Sequence, residues 1–562
     1  MTQRRTPGSN LWVTHEVDRS EGATARAANI AAAKSLAEAV RTTLGPNGMD
    51  KMVVGSDGTV VVTNDGASIL ERMDLDDPTA KMLAEAARSQ NGTVGDGTTT
   101  TVTLVGALLE SAENLLEEGL HPTTIIEGYR RAAEEALDQL RKVSIDVDPT
   151  DEAELRRVAE TAVTGKWDDE SARYLSSLAV SALTDVAEGD SVDVRNITLQ
   201  SIPGGSLRDS EVLDGLSIDI GSSSTTIEAF DVHLPDTYES ASVALLDTEL
   251  TVDSADAVSH TSVSDAAQLR DLQSYEESVR VEAVQQLSEL GVDVVFCQKS
   301  IDDEIRMRLA REGILSIERT RQDEMHKVAS VTGAVLERNV DDLALTDIGQ
   351  APRIDRRSVG TTDLVVISTD VPGSHVSLLL RGGTEHVAEE TKRVIKDCFS
   401  VAQLALQDKA VVPGGGASEM ALAHHLDTFA SQVGGRSQLA VESFAEALEA
   451  IPRTLATSAG LDAIDTLAEL RTHQHRGETT AGVDVVNGTV ADMRAEAVLE
   501  PLAVKHYALT NALEGATMIL RVDDIIAAEQ TGGDHDHGHD HDHDHGHGGL
   551  QDTGGYPWAV GH

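Results

Sequence analysis

The chain is 562 residues long, room for roughly three or four domains of ordinary size. It carries 45 Lys and Arg against 95 Asp and Glu, a formal charge of −50. A surface of that sign repels nucleic acid and anionic membranes, so neither is expected as a partner. The acids recur throughout, as at Asp168-Asp169-Glu170 and Asp341-Asp342. Spread this evenly, they read as a protein of a salt-loaded cytoplasm, where counterions screen the self-repulsion. Cys297 and Cys398 are far apart and lack metal-type spacing, which fits a reducing interior. Arg4-Arg5 hints at a twin-arginine signal, but no apolar stretch follows and none elsewhere approaches a membrane span. The expected location is cytoplasmic.

Helical spacing of Ala and Leu runs from Glu21 to about Thr43. A hairpin follows, Lys51 to Gly55 and Thr59 to Thr63 around Ser56-Asp57-Gly58. Asp77-Pro78 opens the next helix as N-cap and first-turn proline, and helix then dominates to about Lys142. From Val192 to Val376 strand-like runs appear at 243–246, 292–296 and 363–367. They alternate with helical stretches at 268–290 and 302–311, which predicts an α/β region inserted between helical halves. Helices return from Thr384, dominate 417–471, and end with a helix over 504–520 and a last piece to Ala528. After Gln530 the chain is low in complexity, with His alternating with Asp or Gly from His535 to His547. No spacing there fixes a coordination geometry, so a solvated tail with incidental metal affinity is expected.

The run from Thr93 to Thr101, Thr-Val-Gly-Asp-Gly-Thr-Thr-Thr-Thr, carries the most chemistry. β-Branched threonines fit a helix poorly, yet they lead directly into an amphipathic helix expected over 104–117. A helix N-terminus behind a glycine turn is an anion site, and Asp96 beside it suits the Mg²⁺ that accompanies a nucleotide phosphate. No Gly-Lys-Ser/Thr follows, so this is not a P-loop. Similar turns stand at Leu44-Gly45-Pro46-Asn47-Gly48, Thr63-Asn64-Asp65-Gly66-Ala67 and Val412-Pro413-Gly414-Gly415-Gly416. Each alone is an ordinary tight turn. Together they offer backbone donors and two acids, Asp65 and Asp96, with Asp397 as a third candidate at the end of a distant helix.

In these blocks the sequence resembles the group II chaperonins, the archaeal thermosome and eukaryotic CCT family, with a haloarchaeal composition. Further matches are Thr164-Gly165-Lys166, Val295-Phe296-Cys297-Gln298-Lys299, Arg381-Gly382-Gly383-Thr384-Glu385-His386, Ile451-Pro452-Arg453-Thr454-Leu455 and Leu520-Arg521-Val522-Asp523-Asp524. The similarity covers about residues 15–529, in family order. It implies a multidomain α and α/β chaperonin fold. An all-α equatorial domain would take 1–152 and 408–529, and a small α/β intermediate domain 153–217 and 376–407. An α/β apical domain, 218–375, would carry a helical lid protrusion over about 248–281, with 530–562 as the tail.

The resemblance also implies the function: an ATP-dependent chaperone whose subunits, like or paralogous, stack in two rings of eight or nine around non-native protein clients. The implied cofactors are ATP/ADP, Mg²⁺ and K⁺. Gly45, Pro46, Gly97, Thr98, Thr99 and Thr100 would wrap the phosphates, and Asp96 would take the metal. Asp65 and Asp397 would place and activate the attacking water, with Asp397 arriving only on closure. Thr164 and Lys166 would sense the γ-phosphate; Gly415, Gly482, Glu500 and Lys505 would surround base and ribose. Some positions depart from the family. Asn47 replaces a usual Lys, which puts nucleotide affinity in question, and Thr457-Ser458 replaces Glu-Asn. Ala497-Val498-Leu499-Glu500-Pro501 replaces Gly-Val-Ile-Glu-Pro but keeps the acid. The alternative is a ring scaffold subunit with little or no ATPase of its own.

Overall fold

The computed structural model describes residues 18–55, 58, 60–148, 151–188, 191–221, 234–251, 266–371, 373 and 375–527. Residues 252–265 of the expected lid segment and the whole His-rich tail lie outside these residues.

Three groups of elements each bury their own core. The first takes helices from both ends of the chain. Its early members are α1 (Ala23–Arg41), α2 (Gly66–Arg72), α3 (Pro78–Val94), α4 (Thr98–Glu117) and α5 (Pro122–Val143). The second group contributes α6 (Glu152–Val163) and α7 (Asp169–Asp185); the third contributes α8 (Ala266–Glu289), α9 (Asp303–Arg311) and α10 (Gln322–Thr332). Then come α11 (Glu385–Asp408) in the second group and α12 (Ala417–Ala430), α13 (Ser437–Leu448), α14 (Ala450–Ser458), α15 (Ala463–His475) and α16 (Leu502–Arg521) in the first.

In the first group, apolar residues at helical spacing from α1, α4, α5 and α13 meet in one core around Ile30, Leu109, Tyr129 and Phe444. Tyr129 packs edge-on against Phe444, ring centres 5.6 Å apart, and its hydroxyl donates to the Leu108 carbonyl. Burying an aromatic is favourable only where its polar end finds such a partner. The two ends of the described chain are joined: strand Asp18–Glu21 pairs antiparallel with Asp524–Ala527. The hairpin forms as expected, Lys51–Val54 against Val60–Thr63. Asp77 caps α3, its side chain accepting from the N–H groups of Thr79 and Ala80.

The second group packs α6, α7 and α11 on a three-stranded sheet. Strand Val376–Gly382 lies at its centre, parallel to Ile197–Pro203 and antiparallel to Glu211–Asp214. The third group is a mixed sheet. Its main path runs Leu315–Ile317, Val294–Cys297, Thr237–Leu246, Gly349–Val359, Thr362–Ile367, Leu216–Asp219. The central strand 237–246 ends in a run buried on both faces, Val243 to Leu246, and separate apolar clusters cover those faces. The chain therefore runs from helices through α/β structure and back to helices.

Two details differ from the sequence reading. Helix α4 begins at Thr98 rather than near Leu104, so the threonines form its first turn. Their β-branching is tolerated because Thr98, Thr100, Thr101 and Thr103 are buried there and Thr101 Oγ1 donates to the Gly97 carbonyl. Asp397 lies in the middle of α11, not at a helix end. The buried series Val401, Ala402, Ala405 and Leu406 carries that helix on to Asp408.

Candidate functional site

Four turns and the end of α6 with the loop after it border a cleft of about 230 Å³. The turn after α1 reverses at Gly45, where φ is 80°. A Cβ at that glycine would lie 2.5 Å from Leu455 Cδ2, so only glycine lets the turn close against α14. The second turn follows strand Val60–Thr63. Asp65 caps α2, its Oδ2 accepting from the Ser68 N–H at 2.9 Å. A Cβ on Gly66 would collide with Thr99 Oγ1, so the starts of α2 and α4 abut.

The third turn holds Asp96 between Gly95 and Gly97, both left-handed. Gly97 is the N-cap of α4 and no side chain caps that helix. The first α-type bond is Thr101 N–H to Gly97 O, at 2.9 Å. The N–H groups of Thr98, Thr99 and Thr100 therefore have no intrahelical acceptor, and they sit at the positive end of a 20-residue helix. The Asp96 carboxylate accepts from the Gly97 N–H at 2.7 Å. Burial pushes its pKa above the ordinary aspartate range, against the pull of Lys166 and the Gly97 N–H.

Gly415 and Gly416, both at positive φ, make the fourth turn at the start of α12. The Val483 N–H donates to Gly415 O at 2.8 Å and fastens this turn to strand Ala481–Asp484. Beneath Asp96 lies a buried ion triad. Lys505 Nζ is 2.7 Å from Glu419 Oε1 and 3.0 Å from Glu500 Oε2. Burial disfavours a charged Lys505, but the two carboxylates outweigh it and hold the amine protonated. Burial raises the Glu500 pKa, with Lys505 acting against it.

The remaining wall comes from the end of α6 and the loop after it, with α11 packed behind. Gly165, φ 82°, lies so close to the first turn that a Cβ would be 2.5 Å from Pro46 O. Asn64 Nδ2 donates to Gly165 O at 3.2 Å. Lys166 Nζ donates to Asp397 Oδ2 at 2.6 Å. One turn earlier on α11, Arg393 Nη1 lies 2.9 Å from Asp65 Oδ2. Burial works against a charged Lys166, yet Asp397, Asp65 and Asp96 overcome it. Burial likewise works to raise Asp65, but Lys166 and Arg393 more than offset it and hold this carboxyl below its ordinary value.

The cleft thus gathers Gly45, Pro46, Asp65, Asp96, Gly97, Thr98, Thr99, Thr100, Thr164, Lys166, Gly415, Glu500 and Lys505. Two expected residues do not line it. Asp397 stands one ion pair behind Lys166, already in contact with it here. Gly482 lies behind the fourth turn, where a Cβ would be 2.9 Å from Gly415 O; its role is close backbone packing. Asn47 also faces away: its Nδ2 donates to the Ser458 carbonyl at 3.3 Å and the Val485 carbonyl at 3.5 Å. Sequence reading missed Asn64 and Arg393. Arg393 was detectable, since residues four apart on a helix share a face and Asp397 was already a candidate.

A model of the TCP-1/cpn60 chaperonin family matches residues 36–530. The thermosome subunit alpha of Halobacterium salinarum is 43% identical over 523 residues, 93% of this chain and 92% of that protein. The thermosome subunit 1 of Haloferax volcanii is 43% identical over 534 residues, 95% and 94%. The thermosome subunit of Methanopyrus kandleri is 45% identical over 516 residues, 91% and 93%.

Proposed function

The chain belongs to the TCP-1/cpn60 chaperonin family, and from that premise we propose that it is a cytoplasmic, ATP-hydrolysing subunit of a group II protein-folding ring. One observation supports the nucleotide site above all. The uncapped N-terminus of α4 offers three backbone N–H groups beside the Asp96 carboxylate, between two left-handed glycines. That donor set fits a phosphate chain with its divalent cation. Mg²⁺ held by Asp96, with K⁺ as a monovalent companion, would supply charge neutralisation for the phosphates.

The chain's own residues do the rest. The threonine N–H groups and the Gly45-Pro46 turn hold and orient the phosphates. The Gly415 turn bounds the other end, with Glu500 and Lys505 set for the ribose. Asp65 Oδ2 accepts from the Ser68 N–H and lies 2.9 Å from Arg393 Nη1, which holds the acid in place at the cleft. Asp397 reaches the same region through Lys166. Two acids placed in this way would position water and take its proton, which suits a reaction that needs orientation and charge balance more than covalent chemistry.

The three packed groups would serve as equatorial, intermediate and apical domains at the boundaries expected above. Lys166 and α11 belong to the intermediate domain in this reading, so hydrolysis is tied to its position. The hairpin leaves Met52 69% and Val54 62% exposed, with Met49 just before it 67% exposed. That apolar edge would pair with a like or paralogous subunit in two stacked rings of eight or nine. Non-native proteins are the clients, enclosed in an acidic chamber to which they adhere poorly.

The test is phosphate release by the purified chain in molar KCl with Mg²⁺, beside Asp397→Ala. Wild-type turnover that the substitution lowers by about 10²–10⁴-fold, the usual worth of a positioned base, is expected. Equal rates in both proteins would remove Asp397 from the mechanism. No release from assembled wild-type rings would reject the hydrolytic reading.

A further inference from the structure

Arg393 lies outside every residue set considered so far for nucleotide or metal, yet it joins α11 to the second turn. Its Nη1 is 2.9 Å from Asp65 Oδ2. Its other edge is held by Glu390, three residues earlier, with Nε donating to Oε2 at 3.0 Å and Nη2 to Oε1. A planar guanidinium gripped in that two-point way has a fixed orientation before it meets Asp65. The Arg393 side chain is 25% exposed and that of Asp65 19%, so the pair is shielded from most solvent.

Four charges alternate along this seam. Arg393 faces Asp65, and Lys166 faces Asp397. Arg393 and Asp397 are four residues apart on α11, so one helix face carries a cation for the first acid and the second acid itself. As the cap of α2, Asp65 is already satisfied by the Ser68 N–H. A guanidinium beside it adds nothing a cap requires and makes the carboxylate a weaker base. Such an arrangement serves geometry. With Oδ2 held from two sides, the carboxylate is restrained from turning.

We propose that Arg393 is the positioning residue for Asp65: it ties the acid on α2 to helix α11, so that Asp65 at the cleft and the Lys166–Asp397 pair behind it keep a fixed relation. The inference rests on the hydrolytic reading above. Without Arg393, Lys166 is the remaining cation felt by both acids. Asp65 would then turn toward Lys166 and loosen its hold on Asp397, and both acids would lose their alignment.

The experiment uses assembled wild-type, Arg393→Gln, Arg393→Lys, Asp65→Asn and Arg393→Gln/Asp65→Asn rings in molar KCl with Mg²⁺. It reads kcat, KM, equilibrium ATP binding and melting temperature. Arg393→Gln is expected to lower kcat about 10²-fold, the scale of a small misplacement of a reacting group, with ATP affinity within about twofold. Arg393→Lys should recover part of that, since it keeps the charge but loses the two-point grip. Adding Arg393→Gln to Asp65→Asn should cost nothing further. Full turnover by Arg393→Gln overturns the proposal. So does a change in KM or ATP affinity without one in kcat, which would make Arg393 a ligand contact. Equal losses in the Gln and Lys variants with a matching fall in melting temperature would make it a structural strut. A wild-type ring that binds ATP without turnover would reject the hydrolytic reading and this inference with it.

Discussion

The two walls of the cleft bind by different means. One wall is made of turns and helix starts: Gly45-Pro46, Asp65-Gly66, Gly95 to Thr100 and Gly415-Gly416. Its donors are backbone N–H groups, and each piece is shaped by a few neighbouring residues. The other wall is the 164–166 loop, backed by charged side chains of α11, where partners stand far apart in sequence; Lys166 and Asp397 are separated by 231 positions. The first wall is preformed, because left-handed glycines and helix geometry fix it locally. The second exists only when α6, α11 and the Gly45 turn are held together. The anion site proposed above would thus be built from local geometry, while the acids proposed to act on its contents depend on the packing of three distant segments.

The contact between the walls is the most direct place to break this arrangement. A Cβ on Gly165 would lie 2.5 Å from Pro46 O and 2.7 Å from Pro46 Cα, at φ 82°. Both atoms are backbone and cannot swing aside as a side chain would. Gly165→Ala should lift the loop from the Gly45-Pro46 turn and carry Lys166 away from Asp397. Turnover should fall by about 10²-fold. The melting temperature should change by only a few degrees, since the strain of left-handed alanine is roughly 1–2 kcal/mol. A rate within twofold of wild type would show that the walls need not touch.

A smaller effect separates the acids by pH. Burial raises Asp96, whereas Lys166 and Arg393 hold Asp65 below its ordinary value against the effect of burial. As pH falls, Asp96 takes up its proton first, above the ordinary aspartate range, and Asp65 last. The ion pairs of Asp65 stabilise the fold above its unfolded pKa and are lost only as pH falls through its depressed value. The charge on Asp96 is unfavourable to the fold above its raised value, so acidification relieves that cost while it removes the proposed metal ligand. Apparent Mg²⁺ affinity in the presence of ATP should therefore weaken by about tenfold per pH unit on the acid side, before the fold is lost. Asp96→Asn should flatten that limb. An acid limb that survives Asp96→Asn would assign the titration to another group.

The same division decides what could be read from the sequence. The hairpin, the Asp77 cap, the central strand and the out-and-back order were legible because periodicity and turn chemistry act over a few residues. The glycine turns were legible for the same reason, and so were the donors of Thr98 to Thr100. The start of α4 was placed too late because four threonines argue against helix on propensity, while burial of three of them decided otherwise. Gly482 had the right residue type, but a glycine needed for backbone packing looks like one that makes room for a ligand. Arg393 remained unread because its partner is more than three hundred residues away, and pairing of charges at that range is set by the fold. Its spacing from Asp397 was the available signal.

Asn47 gives the finest test of the local wall. Its position in the first turn, read from the resemblance as one usually held by Lys, raised the question of weakened nucleotide binding. In the structure its side chain points outward and ties the turn to the carbonyls of Ser458 and Val485. A lysine there would lose those two contacts and add an exposed cation near the cleft rim. In molar salt the screening length is about 3 Å, so the added charge is felt weakly by a phosphate. Asn47→Lys should tighten ATP binding by less than about threefold in molar KCl, in line with a surface change of about 0.5 kcal/mol. The gain should grow as salt is lowered, since screening alone masks it. A change above tenfold in molar KCl would mean that the 47 side chain turns inward when nucleotide is bound. The first wall would then depend on a mobile side chain as well as on its backbone.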